Sequence, residues 1–300
     1  MNGIINIYKE AGFTSFDVVA KMRGILKTRK IGHTGTLDPM ATGVLPVCVG
    51  AATKAVSFLT DHDKEYVAEL LLGVTTDTLD TTGKVLETRP VNCDEAKVRG
   101  AVMSFQGVSE QIPPMYSAIK VDGKRLYELA RDGREIERKP RIIEIPEMEI
   151  LSMELPVVRF RVVCSRGTYI RSLCQDIGEK LGCGGCMQSL ERIRVGQFGK
   201  DTAITLQELE RHRDQGTLSQ VLLGVDQVFA DLPAMTVRQE FLKAADSGNK
   251  LKPEMLAEPE NFKDEERVRL YRCDGRFYGI YVFRKKERVL KPAAFFLRDD

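Results

Sequence analysis

The residues best suited to chemistry lie in one segment, Gly32-His33-Thr34-Gly35-Thr36-Leu37-Asp38-Pro39-Met40-Ala41-Thr42-Gly43-Val44-Leu45-Pro46. It holds a single carboxylate, Asp38, and the proline after it biases Asp38 toward extended backbone. The flanking glycines let a ligand approach the main chain closely. One carboxylate on a stiff loop suits nucleophilic or electrostatic work better than hydrolysis by paired acids. A structural turn aspartate is the competing reading. The Gly-Lys-Ser/Thr ending of a phosphate-binding P-loop is absent. Cys183-Gly184-Gly185-Cys186 has metal-like spacing, but no second CxxC accompanies it and the histidines are remote in sequence. It reads as two thiols in a Gly-rich turn, and no metal is expected.

These residues need elements to position them. Ile4–Tyr8 predicts a strand, and Thr14 or Ser15 caps a helix carrying Val18, Val19, Met22, Ile25 and Leu26 at helical spacing. Gly32–Pro46 breaks periodicity and predicts a long shaped loop, a kind of segment that is usually functional. A short helix over 53–59 and a strand over 66–72 follow. Helices are expected over 94–105 and 124–132. Val157–Cys164 alternates with period two and runs into a helix over 168–181. Thr205 and Glu208 form a capping-box pattern. Beyond Asp226 the texture changes: Asp231-Leu232-Pro233 reads as a linker, followed by a short helix over 239–247. Strands over 267–272, 277–283 and 293–297 come last, with an Asp274-Gly275 turn. The expectation is a two-domain α+β chain, with a catalytic domain over 1–228 and a small β-rich domain over 229–300.

The chain has 300 residues, 43% hydrophobic and 29% charged, enough for about two domains with real cores. Its 45 basic against 43 acidic side chains leave +2, which excludes a uniformly basic nucleic-acid coat. Basic residues nonetheless cluster: Arg159, Arg161, Arg166 and Arg171 with no acid between; Lys27-Thr28-Arg29-Lys30; and Arg284-Lys285-Lys286 with Arg288 and Lys291. Singly, each reads as a solvated surface; three clusters beside loops point toward a polyanionic partner. No apolar run is long enough to span a membrane, and the first residues lack a secretory pattern. Seven scattered cysteines in such a chain predict reduced thiols and a cytoplasmic protein.

The loop very closely resembles the signature loop of the TruB-type tRNA pseudouridine-55 synthases. Further matches follow in order: Gly12-Phe13-Thr14-Ser15; Lys64-Glu65-Tyr66 with Thr76-Asp77-Thr78-Leu79-Asp80; Gln111-Ile112-Pro113-Pro114-Met115-Tyr116-Ser117-Ala118-Ile119-Lys120; Cys164-Ser165-Arg166-Gly167-Thr168-Tyr169-Ile170-Arg171; and Leu190-Glu191-Arg192-Ile193-Arg194-Val195-Gly196. They span roughly residues 9–196. The tail resembles, less specifically, a PUA-like RNA-binding domain. One departure is Lys9-Glu10, where the family usually has Lys-Pro.

The resemblance implies a pseudouridine-synthase-like mixed β-sheet domain that isomerises a uridine in the T-loop of tRNA on a flipped-out base. It implies that Asp38 is the nucleophile and that Arg171 pairs with it. Tyr66 would stack on the base and help remove the proton from carbon 5. Tyr169 and Leu190 would line the uracil pocket, His33 would fill space beside the extruded nucleotide, and Lys54 and Asp80 match polar positions that read as braces. Taking a base out of its stack costs a few kcal/mol, and single-stranded loops are where this is feasible. Exchanging one glycosidic bond for another requires no cofactor. The expected partner is the tRNA T-arm, with no membrane, no obligate protein partner and no demand for more than a monomer. The alternative is a non-catalytic tRNA-binding or folding factor on the same scaffold.

Overall fold

The computed structural model describes residues 1–121, 123–258 and 261–296. The first part of the chain runs β1 (Gly3–Lys9), α1 (Ser15–Leu26), β2 (Ile31–His33), β3 (Thr42–Val49), α2 (Val56–Thr60) and β4 (Lys64–Leu72). An excursion follows: β5 (Val74–Thr76), β6 (Val85–Thr88), α3 (Glu95–Met103), β7 (Gly107–Gln111), β8 (Lys120–Val121), β9 (Lys124–Arg125), α4 (Leu126–Arg131) and β10 (Arg141–Ile145). The chain returns through β11 (Glu147–Glu154), β12 (Val157–Cys164), α5 (Ile170–Leu181), β13 (Gly185–Val195), β14 (Phe198–Gly199), α6 (Leu206–Asp214) and α7 (Val225–Val228). It closes with β15 (Ala234–Thr236), α8 (Leu242–Asp246), β16 (Arg267–Tyr271), β17 (Phe277–Arg284) and β18 (Val289–Phe295).

The main sheet has the order β1-β3-β13-β4-β12-β11, with β2 on β3 and β14 on β13. Its pairs are antiparallel except β13 with β3, so the sheet is mixed. At β1 and β3 it is buried on both faces. From β1 and β3, Ile5, Ile7, Leu45, Val47 and Val49 pack with Val18, Val19 and Met22 of α1 and Leu209 of α6. From the opposite face, Ile4, Val44 and Cys48 join Ala52, Val225 and Phe229. Further along, Tyr66, Ala68, Leu70, Phe160 and Leu190 pack with Leu173, Cys174 and Ile177 of α5. Burial of nearly every residue explains why β1 and β3 are near-continuous apolar runs, whereas β4 alternates between buried and half-buried positions.

The expected loop over Gly32–Pro46 is shorter than the sequence suggested. Its first two residues close β2 and its last five open β3, leaving residues 34–41 as the loop. Gly43 and Pro46 hide the strand in the sequence, yet both are tolerated in it. Gly43 adopts φ +108°, and a Cβ there would lie 2.1 Å from the Arg192 carbonyl oxygen. Pro46 contributes an acceptor, taking the Thr34 amide at 3.1 Å. The capping box at Thr205 is present as predicted, and Thr14 rather than Ser15 caps α1. Lys124 and Arg125 belong to a hairpin strand, so that helix begins at Leu126.

The last four strands form a sheet of order β15-β16-β17-β18, which is the β-rich tail expected. Its last strand starts at Val289, earlier than predicted because Pro292 and Lys291 interrupt the apolar pattern; Leu297 lies outside the described residues. Ile280, Ala294 and Phe296 from this part complete the cluster around Ile4 and Val44.

Candidate active site

Residues 34–41 are a short loop tied down along their length. Asp38-Pro39-Met40-Ala41 makes a turn in which the Asp38 carbonyl accepts the Ala41 amide at 3.1 Å, with proline second in the turn as its fixed φ favours. Leu37 and Ala41 are buried as apolar anchors. The Leu37 amide donates to Ser15 Oγ at 2.8 Å, so the serine left over from capping α1 grips the loop instead. The Pro39 carbonyl accepts from the Gly12 amide at 2.9 Å and from Lys9 Nζ at 3.2 Å. Arg192, 1% exposed, donates from Nε to the Val44 carbonyl at 2.7 Å and from Nη2 to the Gly35 carbonyl at 3.1 Å, holding both arms.

The turn presents Asp38 to Arg171, which stands on the first turn of α5. Nε donates to Oδ2 at 2.8 Å and Nη2 to Oδ1 at 3.1 Å, a two-point pair that fixes the plane of the carboxylate. The guanidinium also donates from Nη1 to the Thr78 carbonyl at 3.0 Å and from Nη2 to the Tyr116 carbonyl at 2.8 Å. Arg171 is only 5% exposed while the Asp38 side chain is 33% exposed. The arginine is therefore a buried support and the carboxylate remains accessible from solvent. Asp80 braces one of those acceptors: its Oδ1 takes Thr78 Oγ1 at 2.8 Å, the Thr82 amide at 3.0 Å and Thr82 Oγ1 at 2.6 Å.

Tyr66 lies on β4 directly opposite Arg192 of β13, and Leu190, two residues before it, is opposite Ala68. Tyr66 and Leu190 share one apolar cluster with Leu37 and Ala41 of the loop. Burial raises the Tyr66 phenol above the usual tyrosine range against the opposing pull of Arg192, so it is a neutral hydroxyl near pH 7. Tyr169 caps α5 and is held by Gln111, whose Oε1 accepts the Tyr169 amide at 2.8 Å while its Nε2 donates to the Tyr169 carbonyl at 3.0 Å. Burial raises its phenol too, and the charges of Arg171 and Asp38 both act on it. His33 ends β2; its Nδ1 accepts the Gly35 amide at 3.3 Å, and burial with the nearby Arg192 charge holds the imidazole below its ordinary value.

The structure thus gathers Asp38, Arg171, Tyr66, Tyr169, Leu190 and His33 around one loop, with Asp80 behind it. Lys54 is placed elsewhere: it donates to the Phe295 carbonyl at the β18 end of the C-terminal sheet. The run of arginines over 159–171 is also not one basic face. Arg161 pairs with Glu65, Glu147 and Glu149, Arg166 pairs with Asp61, and Arg171 with Asp38. Cys183 and Cys186 are buried free thiols. Sequence reasoning gave no role to three buried cations, Lys9 and Arg192, which bond the loop, and Lys64, which bonds the Thr60 and His62 carbonyls. Lys9 Nζ donates to the carbonyls of Phe13 at 2.7 Å and Glu10 at 3.0 Å as well as to Pro39. Burial lowers Lys9 and Lys64 to about 8, with Arg192 pressing the same way on each. All three lie within the quoted family motifs, but without a role.

A model of the TruB family pseudouridylate synthase N-terminal domain matches residues 23–170, and one of the tRNA pseudouridylate synthase B C-terminal domain matches residues 171–230. The chain is 51% identical to the tRNA pseudouridine synthase B of Lachnoclostridium phytofermentans, over 99% of this chain and 100% of that one. It is 42% identical to the protein of that name from Bacillus pumilus, over 100% and 99%. Among solved structures, the archaeal box H/ACA sRNP Nop10-Cbf5 complex contains a chain with TM-score 0.74 at 26% identity, covering 99% of this chain and 87% of that one. A chain in an H/ACA RNP bound to a substrate RNA containing 2′-deoxyuridine matches with the same score and identity, covering 99% and 86%.

Proposed function

The chain belongs to the TruB family of pseudouridine synthases, and we propose that it converts the T-loop uridine of tRNA to pseudouridine with Asp38 as nucleophile. The observation that carries this reading is the accessible Asp38 carboxylate held at two points by a buried Arg171. The reaction needs an ionised carboxylate in a fixed orientation, and a guanidinium facing both oxygens favours that form. Asp38 acts on the extruded uridine, by addition to the sugar or by promoting elimination from it, and the N1–C1′ bond breaks. The uracil turns in its pocket and C5 bonds to C1′. The C5 proton then leaves and N1, which bore no proton as the glycosidic nitrogen, takes one up, so atoms balance without an oxidant, reductant or ATP.

Tyr66 presents a ring to the base and a hydroxyl toward C5. The Arg192 guanidinium opposite it stabilises the phenolate that would receive the proton. Tyr169 and Leu190 wall the uracil and His33 fills the space beside it. Asp80 acts through Thr78 on Arg171. Lys54 serves as a brace to the C-terminal sheet. Residues 229–300 form the RNA-contacting PUA-like domain, separate in role from the catalytic domain over 1–228. The protein works in the cytoplasm as a monomer without an obligate protein partner; its seven free cysteines suit a reducing compartment.

Tritium release from tRNA labelled at uridine C5 tests the reaction. The enzyme should release label without liberating uracil. A binding or folding factor on this scaffold would release none, and a nucleoside hydrolase would yield free uracil.

A further inference from the structure

Two thiols that the isomerisation does not use lie against each other. Cys93 stands in irregular backbone just before Asp94, the N-cap of α3, and Cys183 in the turn after α5. Both are free; Cys183 is buried and Cys93 half-buried, so a small solute reaches the pair from the Cys93 side. Hydrogen bonds through Gly73 and Arg89 tie the two stretches together. The Gly73 amide donates to the Gly184 carbonyl at 3.0 Å, and the Arg89 amide donates to the Gly73 carbonyl at 2.8 Å. Arg89 Nη1 donates to the Gly182 carbonyl at 3.4 Å. Within that frame the Cys93 and Cys183 side chains are hydrogen-bond partners, and Cys183 Sγ also lies 3.4 Å from the Gly184 carbonyl. Burial raises the Cys183 thiol, and the Cys93 sulfur raises it further by its charge and by that bond, so the shared proton rests on Cys183. The pair is remote from the carboxylate: Arg171 stands at the other end of α5, about 18 Å along the helix.

Among the described residues no group of three ligating side chains includes these sulfurs, so the arrangement suits a dithiol rather than a metal site. Closing a disulfide needs specific geometry, and backbone outside regular elements can supply it. Cys93 lies outside α3, and Cys183 lies between Gly182 at φ +79° and Gly184 at φ +76°. We propose that Cys93 and Cys183 are a peroxide-reactive dithiol that closes reversibly to an intramolecular disulfide. The more exposed Cys93 sulfur attacks one peroxide oxygen as its thiolate. An S–O bond forms, the O–O bond breaks, and the leaving hydroxide takes up the proton that the thiol shed. The Cys183 sulfur then attacks Cys93: the S–S bond forms, the S–O bond breaks, and a second water leaves with the Cys183 proton. Peroxide is reduced to two waters, and the two thiols are oxidised to one disulfide. A partner already in contact captures the sulfenic acid before a second peroxide carries it to the irreversible sulfinic acid.

The full chain treated with hydrogen peroxide, then unfolded and alkylated, tests this. It should lose two of its seven thiols, and dithiothreitol should restore both. A tryptic digest without reductant should join the peptide Val85–Lys97, which carries Cys93, to Leu181–Arg192, which carries Cys183 and Cys186. Two variants assign the second sulfur. Cys186→Ala should still cross-link, whereas Cys183→Ala should not and should carry Cys93 as sulfinic acid instead. The proposal is overturned if all seven thiols survive in wild type, or if Cys93 is oxidised there without a cross-link. A cross-link that persists in Cys183→Ala, or one that disappears in Cys186→Ala, would overturn it equally. None of these outcomes depends on the pseudouridine synthase reading, which tritium release tests separately.

Discussion

Replacing Arg171 by lysine keeps a positive charge but removes the planar fork that meets both Asp38 oxygens and reaches the Thr78 and Tyr116 carbonyls. The account predicts a fall of about 10²-fold or more in kcat, with tRNA binding changed far less, readable in single-turnover tritium release. It also predicts lost stability, since two buried carbonyls lose their donor. Tyr66→Phe keeps the ring and removes the hydroxyl, so it should bind tRNA normally while tritium release falls about 10²-fold or more. Asp38 and Arg171 were legible because the loop and the Arg166–Arg171 segment are close family matches. Arg192 and Lys9 were quoted only within motifs. Nothing in a sequence reveals that a lysine is 0% exposed beneath a loop; that follows from the register of β1 on β3.

At the scale of elements, the loop works because β3 begins inside it. Gly43 permits the close approach of β13 there, its φ of +108° and the 2.1 Å clash awaiting any Cβ leaving no room for another residue. Gly43→Ala should destabilise by roughly 3 kcal/mol or more, as a urea melt would show, and should cost activity through displacement of the loop. The strand itself was hidden in the sequence by its glycine and proline, punctuation that usually signals a turn. By contrast, Val157–Cys164 was read at its true bounds because one face stays polar and the period of two survives. The capped helix at Thr205 was equally plain, since its signal is local.

For the whole molecule, the buried cations make stability depend on pH in a definite direction. Lys9 and Lys64 sit at about 8 in the folded protein against an ordinary 10.5. Between those values the unfolded chain binds protons that the native state has released, so stability should rise with pH across about 8 to 10.5. The slope is about 1 kcal/mol per pH unit for each lysine, and Lys64→Met should reduce it in urea melts taken from pH 7.5 to 10. The C-terminal sheet bears on the core as well as on the proposed RNA contact. Ile280, Ala294 and Phe296 complete the cluster around Val44, so removing residues 232–300 would strip the back of β3. Charge reversal at the exposed Lys285 and Lys286 is the cleaner test. It should weaken tRNA binding and flatten its salt dependence while leaving the single-turnover rate at saturating enzyme near wild type. The tail was legible in the sequence as β-rich; its share in the catalytic core was not, because that depends on contacts between residues more than two hundred positions apart.

The account depends most on the Asp38 carboxylate. Asp38→Asn preserves the size of the side chain and removes its charge. With tRNA labelled at uridine C5, and binding measured on the same preparation, the account predicts wild-type affinity within about threefold and no release of tritium above background. Release at a rate near wild type by that well-folded variant would contradict it.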